Sequence, residues 1–352
     1  MGVIKAMSHA HLLQYYAQQA QIKLPATVWD YLQSDAGTGR QSRANEADWQ
    51  ALNIVPRPLN ALHNPNTHCH LFNETWAHPM MLAPVAYQTL FHAEGEAGSA
   101  VACNAQLGQM MVSSLASQPL AHIATQAQQP LWFQLYWQGD RARTLTLLQK
   151  ALDAGYSTVV FTVDAPIKQA VMDLPETVSA VNLAQPLAPN PLQSGQSLVF
   201  DGWMAQAPTW EDVAWLRQQV TKPLLLKGIL HVDDAKRAVA LGCDGLVISN
   251  HGGRVLDGTP TVTDVLPAIT AAVAGQCKLI VDSGIRSGQD VFKALALGAD
   301  AVCIGRPYIW GLASEGPLGV AKVIRWLRDE LEMTMALTGV SNLQAIKHIH
   351  LM

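Results

Sequence analysis

The chain has little charge: Asp, Glu, Lys and Arg make up only 14% of its 352 residues, and the formal net charge is −4. No lysine and arginine cluster breaks that balance, which argues against a face for nucleic acid. No uninterrupted apolar run approaches the roughly 18–20 residues of a membrane span. The opening residues, Met1-Gly2-Val3-Ile4-Lys5, lack the apolar stretch of a secretory signal. Ala6 stands where a myristoylation start needs Ser or Thr. The five cysteines, Cys69, Cys103, Cys243, Cys277 and Cys303, are odd in number, dispersed, and include no Cys-x-x-Cys pair. That excludes a disulfide framework and the common zinc spacings, so a reducing, cytoplasmic setting is expected. His68-Cys69-His70 has no fourth ligand nearby in its Pro- and Asn-rich surroundings, so the two histidines are expected to be exposed and no metal is expected.

What the chain does have is apolar residues, 49% of the total, arranged with a rhythm. Helices are expected from Ser8, a plausible N-cap, to Ala20, around Val28–Leu32, and over Ala44–Leu52. Pro56-Arg57-Pro58 then breaks the pattern, and residues 1–77 read as a helical N-terminal lid. From His78 onward, short apolar segments recur, each followed by turn residues and a helical pattern. They are Met80–Ala86, Gln109–Ser114, Leu131–Tyr136, Thr158–Asp164, Pro223–Gly228, Gly245–Asn250, Lys278–Gly284 and Asp300–Arg306. Helices are expected between them at Glu94–Leu107, Ala142–Ala154, Asp233–Leu241 and Gly288–Leu297. Eight such strands with intervening helices predict a (β/α)8 TIM barrel of α/β class. A doubly wound open sheet would want a Gly-rich loop after its first strand, and Met80–Ala86 has none. The division expected is a single domain over 1–352, with the lid at 1–77, the barrel at 78–310 and C-terminal helices at 311–352. The stretch Val171–Ala207, rich in Pro, Gln, Asn, Ser and Gly, follows the fourth strand and predicts a long loop covering the barrel mouth.

In a barrel, chemistry sits at the carboxyl ends of the strands. Reading those ends in turn gives Gln134 and Tyr136; Thr162 and Asp164; Lys227; Ser249, His251 and Arg254; Asp282 and Arg286; Gly305 and Arg306. One such residue has a dull explanation as a helix cap or rim ion pair. Polar groups ending six strands at equivalent depth form a common site. In Ser249-Asn250-His251-Gly252-Gly253-Arg254, two glycines allow a sharp turn or close approach, beside a group that titrates near neutrality and a guanidinium that grips anions. Asp282-Ser283-Gly284-Ile285-Arg286 and Ile304-Gly305-Arg306 put glycines and arginines after the last two strands, where barrels often bind phosphate. A phosphorylated cofactor beside a carboxylate substrate is the expectation.

The segment Ser249–Arg254 closely resembles the signature of the FMN-dependent 2-hydroxy acid oxidases and dehydrogenases, the glycolate oxidase and lactate oxidase family. Further segments follow that family's order and spacing: Leu24-Pro25 through Tyr31, Ala83-Pro84 with Glu94-Gly95-Glu96, Phe133–Tyr136, Thr162–Pro166, Leu226-Lys227-Gly228 and Asp290–Ala299. The resemblance implies FMN as cofactor and oxidation of a small L-2-hydroxy acid such as lactate to its 2-oxo acid. It implies His251 as base with Asp164 as its carboxylate partner; a neighbouring carboxylate favours the imidazolium. Arg254 and Tyr31 match ligands of the substrate carboxylate, Tyr136 the tyrosine near the substrate hydroxyl, and Leu115 the position facing the substrate side chain, which is Trp in glycolate oxidase. Lys227 matches the lysine beside flavin N1, where a cation stabilises the anionic reduced ring. Ala86, Ser113, Gln134, Thr162 and Ser249 match cofactor contacts, and Asp282, Gly284, Arg286, Gly305 and Arg306 match the ribityl and phosphate site. A homotetramer is implied as well. The electron acceptor, whether oxygen, a quinone or a carrier, is left open, as is hydride against carbanion chemistry.

One position departs from the pattern. The family's second substrate-binding arginine falls at Val171, with Lys168 the nearest cation. Losing a bidentate carboxylate partner removes a contact of roughly 1.5–3 kcal/mol. The alternatives are a bulkier or less anionic substrate, a substitute cation, or a member that binds FMN without turnover. Another flavin-barrel chemistry, such as isomerisation, fits His251 and Asp164 less well.

Overall fold

The computed structural model describes residues 9–166 and 173–352. Ten strands occur among them. β1 (Cys69–Leu71) and β2 (Glu74–Trp76) form an antiparallel hairpin. The others are β3 (Met80–Leu82), β4 (Gln109–Ser113), β5 (Trp132–Leu135), β6 (Thr158–Thr162), β7 (Leu224–Ile229), β8 (Gly245–Ile248), β9 (Lys278–Val281) and β10 (Ala301–Ile304). Each pairs in parallel with its neighbour in sequence, and β10 pairs with β3 to close an eight-stranded barrel. These are the eight strands expected, trimmed at most of their ends.

The near-continuous apolar runs follow from burial on both faces. Side chains alternate with the strand period of two. Met81, Met111, Trp132, Val160, Leu225, Val247 and Ile280 pack together inside the barrel. Their neighbours Leu82, Met110, Val112, Phe133, Phe161, Leu226 and Leu246 join the larger core under the helices. The expected helices also form, at Gly95–Ala105, Arg141–Asp153, Val232–Ala240 and Gly288–Ala296. Two further helices, not expected from the sequence, form at Trp210–Gln219 and Val262–Val273.

The N-terminal region has two roles. Helices α1 (His9–Lys23), α2 (Ala26–Gln33) and α3 (Arg40–Ala51) lie at the mouth and flank of the barrel. The N-cap expected at Ser8 falls outside the described residues. Residues 69–76 depart from a helical lid: β1 and β2 close the opposite end, the floor, where Cys69, Leu71 and Trp76 complete the interior cluster. Cys69 is thus buried, while His68 and His70 are exposed as expected. Glu74 ties the hairpin to the floor, accepting from Trp132 Nε1 (3.1 Å), Gln109 Nε2 (2.8 Å) and Ser157 Oγ (2.7 Å). The long segment after β6 is irregular over 173–197, and its Leu174, Val178, Ala180 and Leu183 pack on Tyr87, Leu115, Tyr136 and Ala165 at the mouth. Lys168 and Val171 lie outside the described residues.

Candidate active site

The loop after β8 shows why its sequence carries two glycines. His251, Gly252 and Gly253 have φ of 59°, 67° and 79°, three successive left-handed residues. Only glycine takes that region without a Cβ penalty, so His251 carries the strain of the turn. At Gly253 a Cβ would also come within 2.7 Å of the Ser42 amide nitrogen, so the glycine lets α3 approach.

His251 points its Nδ1 at Asp164 Oδ1, 2.9 Å away, and its Nε2 lies 3.3 Å from the Tyr136 hydroxyl. Asp164 stands just past the end of β6. Burial pushes its carboxyl up, but His251 and Lys227 outweigh that and hold it below the usual carboxylate value. Burial, reinforced by Asp164, raises the Tyr136 phenol well above its ordinary value, so it keeps its proton.

Beside this pair, Lys227 on β7 reaches Asp282 Oδ2 at 2.8 Å and Ser249 Oγ at 2.9 Å, and the Ser249 hydroxyl donates to Asp282 Oδ2 at 2.6 Å. Burial lowers the lysine and raises the aspartate, yet their mutual attraction reverses both, leaving a buried ion pair. Ser249 Oγ also accepts the His251 backbone N–H at 3.0 Å, so one network joins the ion pair to the histidine loop. Gln134 donates to Thr162 Oγ1 at 2.9 Å and accepts from Ser113 Oγ at 3.2 Å.

Three guanidiniums also line the site, all engaged. Arg254 donates to the carbonyls of Leu32 (3.0 Å) and Tyr31 (3.1 Å) at the C-terminus of α2, and stacks over the Tyr31 ring. A cation there suits the helix dipole. Arg306 bonds Leu32 O, Ser34 O, Ser42 Oγ and, at 2.7 Å, Asp35. Arg286 pairs with Glu46 at 2.8 Å and lies over the Trp310 ring, while its Nε is buried without a partner among the described residues.

These groups surround one cavity of about 1050 Å³, counting its open mouth. Tyr31, Ala86, Ser113, Leu115, Tyr136, Thr162, Lys227, His251, Arg254, Asp282, Gly284, Arg286, Gly305 and Arg306 line it. Asp164, Gln134 and Ser249 do not reach it; they sit behind the wall on His251, Thr162 and Lys227 respectively. Sequence reasoning missed Ser42 and Asn45, contributed by α3, and Ser283 and Cys303 on the barrel. Asn45 is buried and bonded to Asn250 at 2.9 Å, next to the signature histidine. A buried polar run on an otherwise amphipathic helix was the available signal, but its partner lies about two hundred residues away.

The comparisons with known proteins agree with one another. The family model described as FMN-dependent dehydrogenase matches residues 20–352. An L-lactate oxidase of Roseobacter sp. (strain GAI101) is 43% identical, over 92% of this chain and 90% of the relative. A 4-hydroxymandelate oxidase of Amycolatopsis orientalis is 41% identical, over 93% and 94%. A crystal structure of mandelate oxidase with (S)-2-phenylpropionate superposes with TM-score 0.88 at 38% identity, covering 97% of this chain and 98% of that one. With the match running through both the barrel and the helices at its mouth, the chain belongs to the FMN-dependent dehydrogenase family.

Proposed function

We propose that this protein oxidises an L-2-hydroxy acid to the 2-oxo acid, using FMN and His251 as base. The observation that carries the reading is His251, held by Asp164 on one ring nitrogen and facing Tyr136 and the cavity with the other.

The residues present fit FMN. The cavity is lined by a buried cation, Lys227, by the guanidiniums of Arg286 and Arg306, and by the weakly polar stretch Ala83, Pro84, Val85 and Ala86. A flat, weakly polar ring joined to a phosphate asks for that division. Arg286 Nε, buried and unpartnered among the described residues, is a donor suited to the anionic end. Lys227, Ser113 and Thr162 would hold the ring, with Gln134 and Ser249 supporting them from behind. Asp282, Gly284, Arg286, Gly305 and Arg306 would hold the ribityl phosphate. Bound there, FMN supplies a two-electron acceptor.

The remaining work belongs to the chain. Arg254 and Tyr31 hold the substrate carboxylate, and the Tyr136 O–H orients the substrate hydroxyl. His251 Nε2 takes the proton released on oxidation, and Asp164 stabilises the resulting imidazolium. Leu115 and the apolar cover from residues 174–183 keep water from the dyad. Joint retention of His251, Asp164, Arg254, Tyr31 and Tyr136 favours turnover over FMN binding alone.

We further infer a single domain and a homotetramer. A cytoplasmic setting fits five cysteines that are all buried and free. Among the described residues no helix is long and apolar enough to cross a membrane.

The test is anaerobic mixing of the FMN-loaded protein with a panel of 2-hydroxy acids, small to aromatic, following flavin absorbance. Bleaching by an L-acid supports the reading and identifies the side chain accepted. A flavin that dithionite reduces but no acid does would refute it.

A further inference from the structure

One half-buried carboxylate outside the cavity joins two distant parts of the fold. Asp257 stands three residues after Arg254. Its Oδ2 accepts from the Thr38 backbone N–H at 2.9 Å and the Thr38 hydroxyl at 3.0 Å, and its Oδ1 accepts from the Gln41 N–H at 2.8 Å. These groups lie at the start of α3. The N-cap there is Gly39, which has no side chain to offer the free amides. Asp257 therefore serves as the missing cap, 216 residues further along the chain than Gln41. Its Thr38 and Gln41 partners hold the carboxyl down at about 2, so it is anionic at any ordinary pH.

The contact sits at a junction. Ala36 N–H donates to Gly253 O at 2.8 Å, and the close approach of Gly253 to Ser42 lies beside it. On one side of the fastened stretch, Leu32, Ser34 and Asp35 grip Arg306. On the other, Ser42 and Asn45 line the cavity and Glu46 grips Arg286. The segment that covers the two arginines is thus tied to the barrel at its centre by Asp257.

We propose that Asp257 is a positioning residue for FMN: it clasps the α2–α3 cover over the Arg286 and Arg306 end of the cavity and so retains the cofactor. The inference rests on the reading that the FMN phosphate lies at that end. Asp257 touches no reacting group. Its loss acts on how long FMN stays bound and leaves the chemistry of the loaded site in place.

The experiment uses the FMN-loaded protein, with flavin release followed by the recovery of free-flavin fluorescence after dilution. Asp257→Ala is expected to release FMN about tenfold faster, the effect of one lost cap. Asp257→Asn, which keeps an acceptor oxygen, is expected to fall between it and the parent. With FMN in excess, kcat of both is expected to match the parent, which a general loss of structure would not allow. Thr38→Val removes one of the three bonds and serves if Asp257→Ala does not fold; faster release is again expected. Arg306→Gln in the same assay separates the two ideas. Unchanged release for Arg306→Gln overturns the placement of the phosphate, and the clasp with it. Faster release for Arg306→Gln with unchanged release for Asp257→Ala and Thr38→Val overturns the clasp alone.

Discussion

Asp164 Oδ1 lies 2.9 Å from His251 Nδ1, while its other oxygen, Oδ2, is buried with no hydrogen-bond partner among the described residues. The carboxylate is thus committed to the histidine. Asp164→Asn is expected to lower turnover at least about tenfold while FMN stays bound, because the imidazolium loses its counter-charge. His251→Gln is expected to cost about 10²–10⁴-fold. Both are read from the anaerobic rate of flavin reduction.

Space as well as charge fixes Asp164. Gly228 has φ 105°, and a Cβ there would come within 2.4 Å of the Asp164 side chain. Gly228→Ala is expected to reduce turnover by displacing the carboxylate, although residue 228 makes no contact with substrate in the mechanism proposed. Unaltered kcat in a folded variant would show that the dyad tolerates the shift.

Lys227 and Asp282 form a buried pair 2.8 Å apart. Lys227→Met leaves Asp282 charged without its counter-ion, only the Ser249 hydroxyl still donating to it, an expected loss of about 3–5 kcal/mol by denaturant titration. Lys227→Met with Asp282→Asn is expected to recover part of it. The Asp282 carboxyl is held below its ordinary value in the fold, so the stabilisation it provides is present above that ordinary value. It is lost as pH falls through the folded value. Substituting Lys227 should remove that acid-side dependence.

His78, buried between the floor and the helix Gly95–Ala105, is pushed down by burial to about 4 from an ordinary 6.5. Because the unfolded chain binds the proton first, stability is full above 6.5 and declines as pH falls toward 4. His78→Gln is expected to flatten that decline, seen as a Tm that changes less between neutral and mildly acidic buffer.

Glu74 lies at the end of the barrel away from the chemistry. Glu74→Ala strands the indole N–H groups of Trp76 and Trp132, which it now accepts at 3.0 and 3.1 Å. A loss of at least about 2 kcal/mol is expected, with kcat unaltered.

The barrel was legible because its signal is local. Runs such as Thr158–Thr162 and Gly245–Ile248 are apolar on both faces and bounded by turns. Most polar residues of the site were legible for the same reason, since they lie near or just past strand ends that could be counted. The hairpin Cys69–Trp76 was not, because three-residue strands are too short to show a period. Nor was the role of α3, whose Ser42 and Asn45 owe their place to a backbone contact with Gly253 and a bond to Asn250. Arg254 could be read as an anion ligand but not as a clamp on the Tyr31 and Leu32 carbonyls, since that depends on where α2 docks.

His251 is the base in the proposed oxidation of an L-2-hydroxy acid at this site. The most direct test is a single anaerobic turnover: FMN-loaded protein and His251→Gln, each mixed with the L- and D-forms of an acid that bleaches the flavin, with the 2-oxo acid then quantified. One 2-oxo acid per flavin reduced, from the L-form only and slowed by orders of magnitude in His251→Gln, is the predicted result. Flavin reduction without 2-oxo acid, equal reaction of the D-form, or an unimpaired His251→Gln would contradict it.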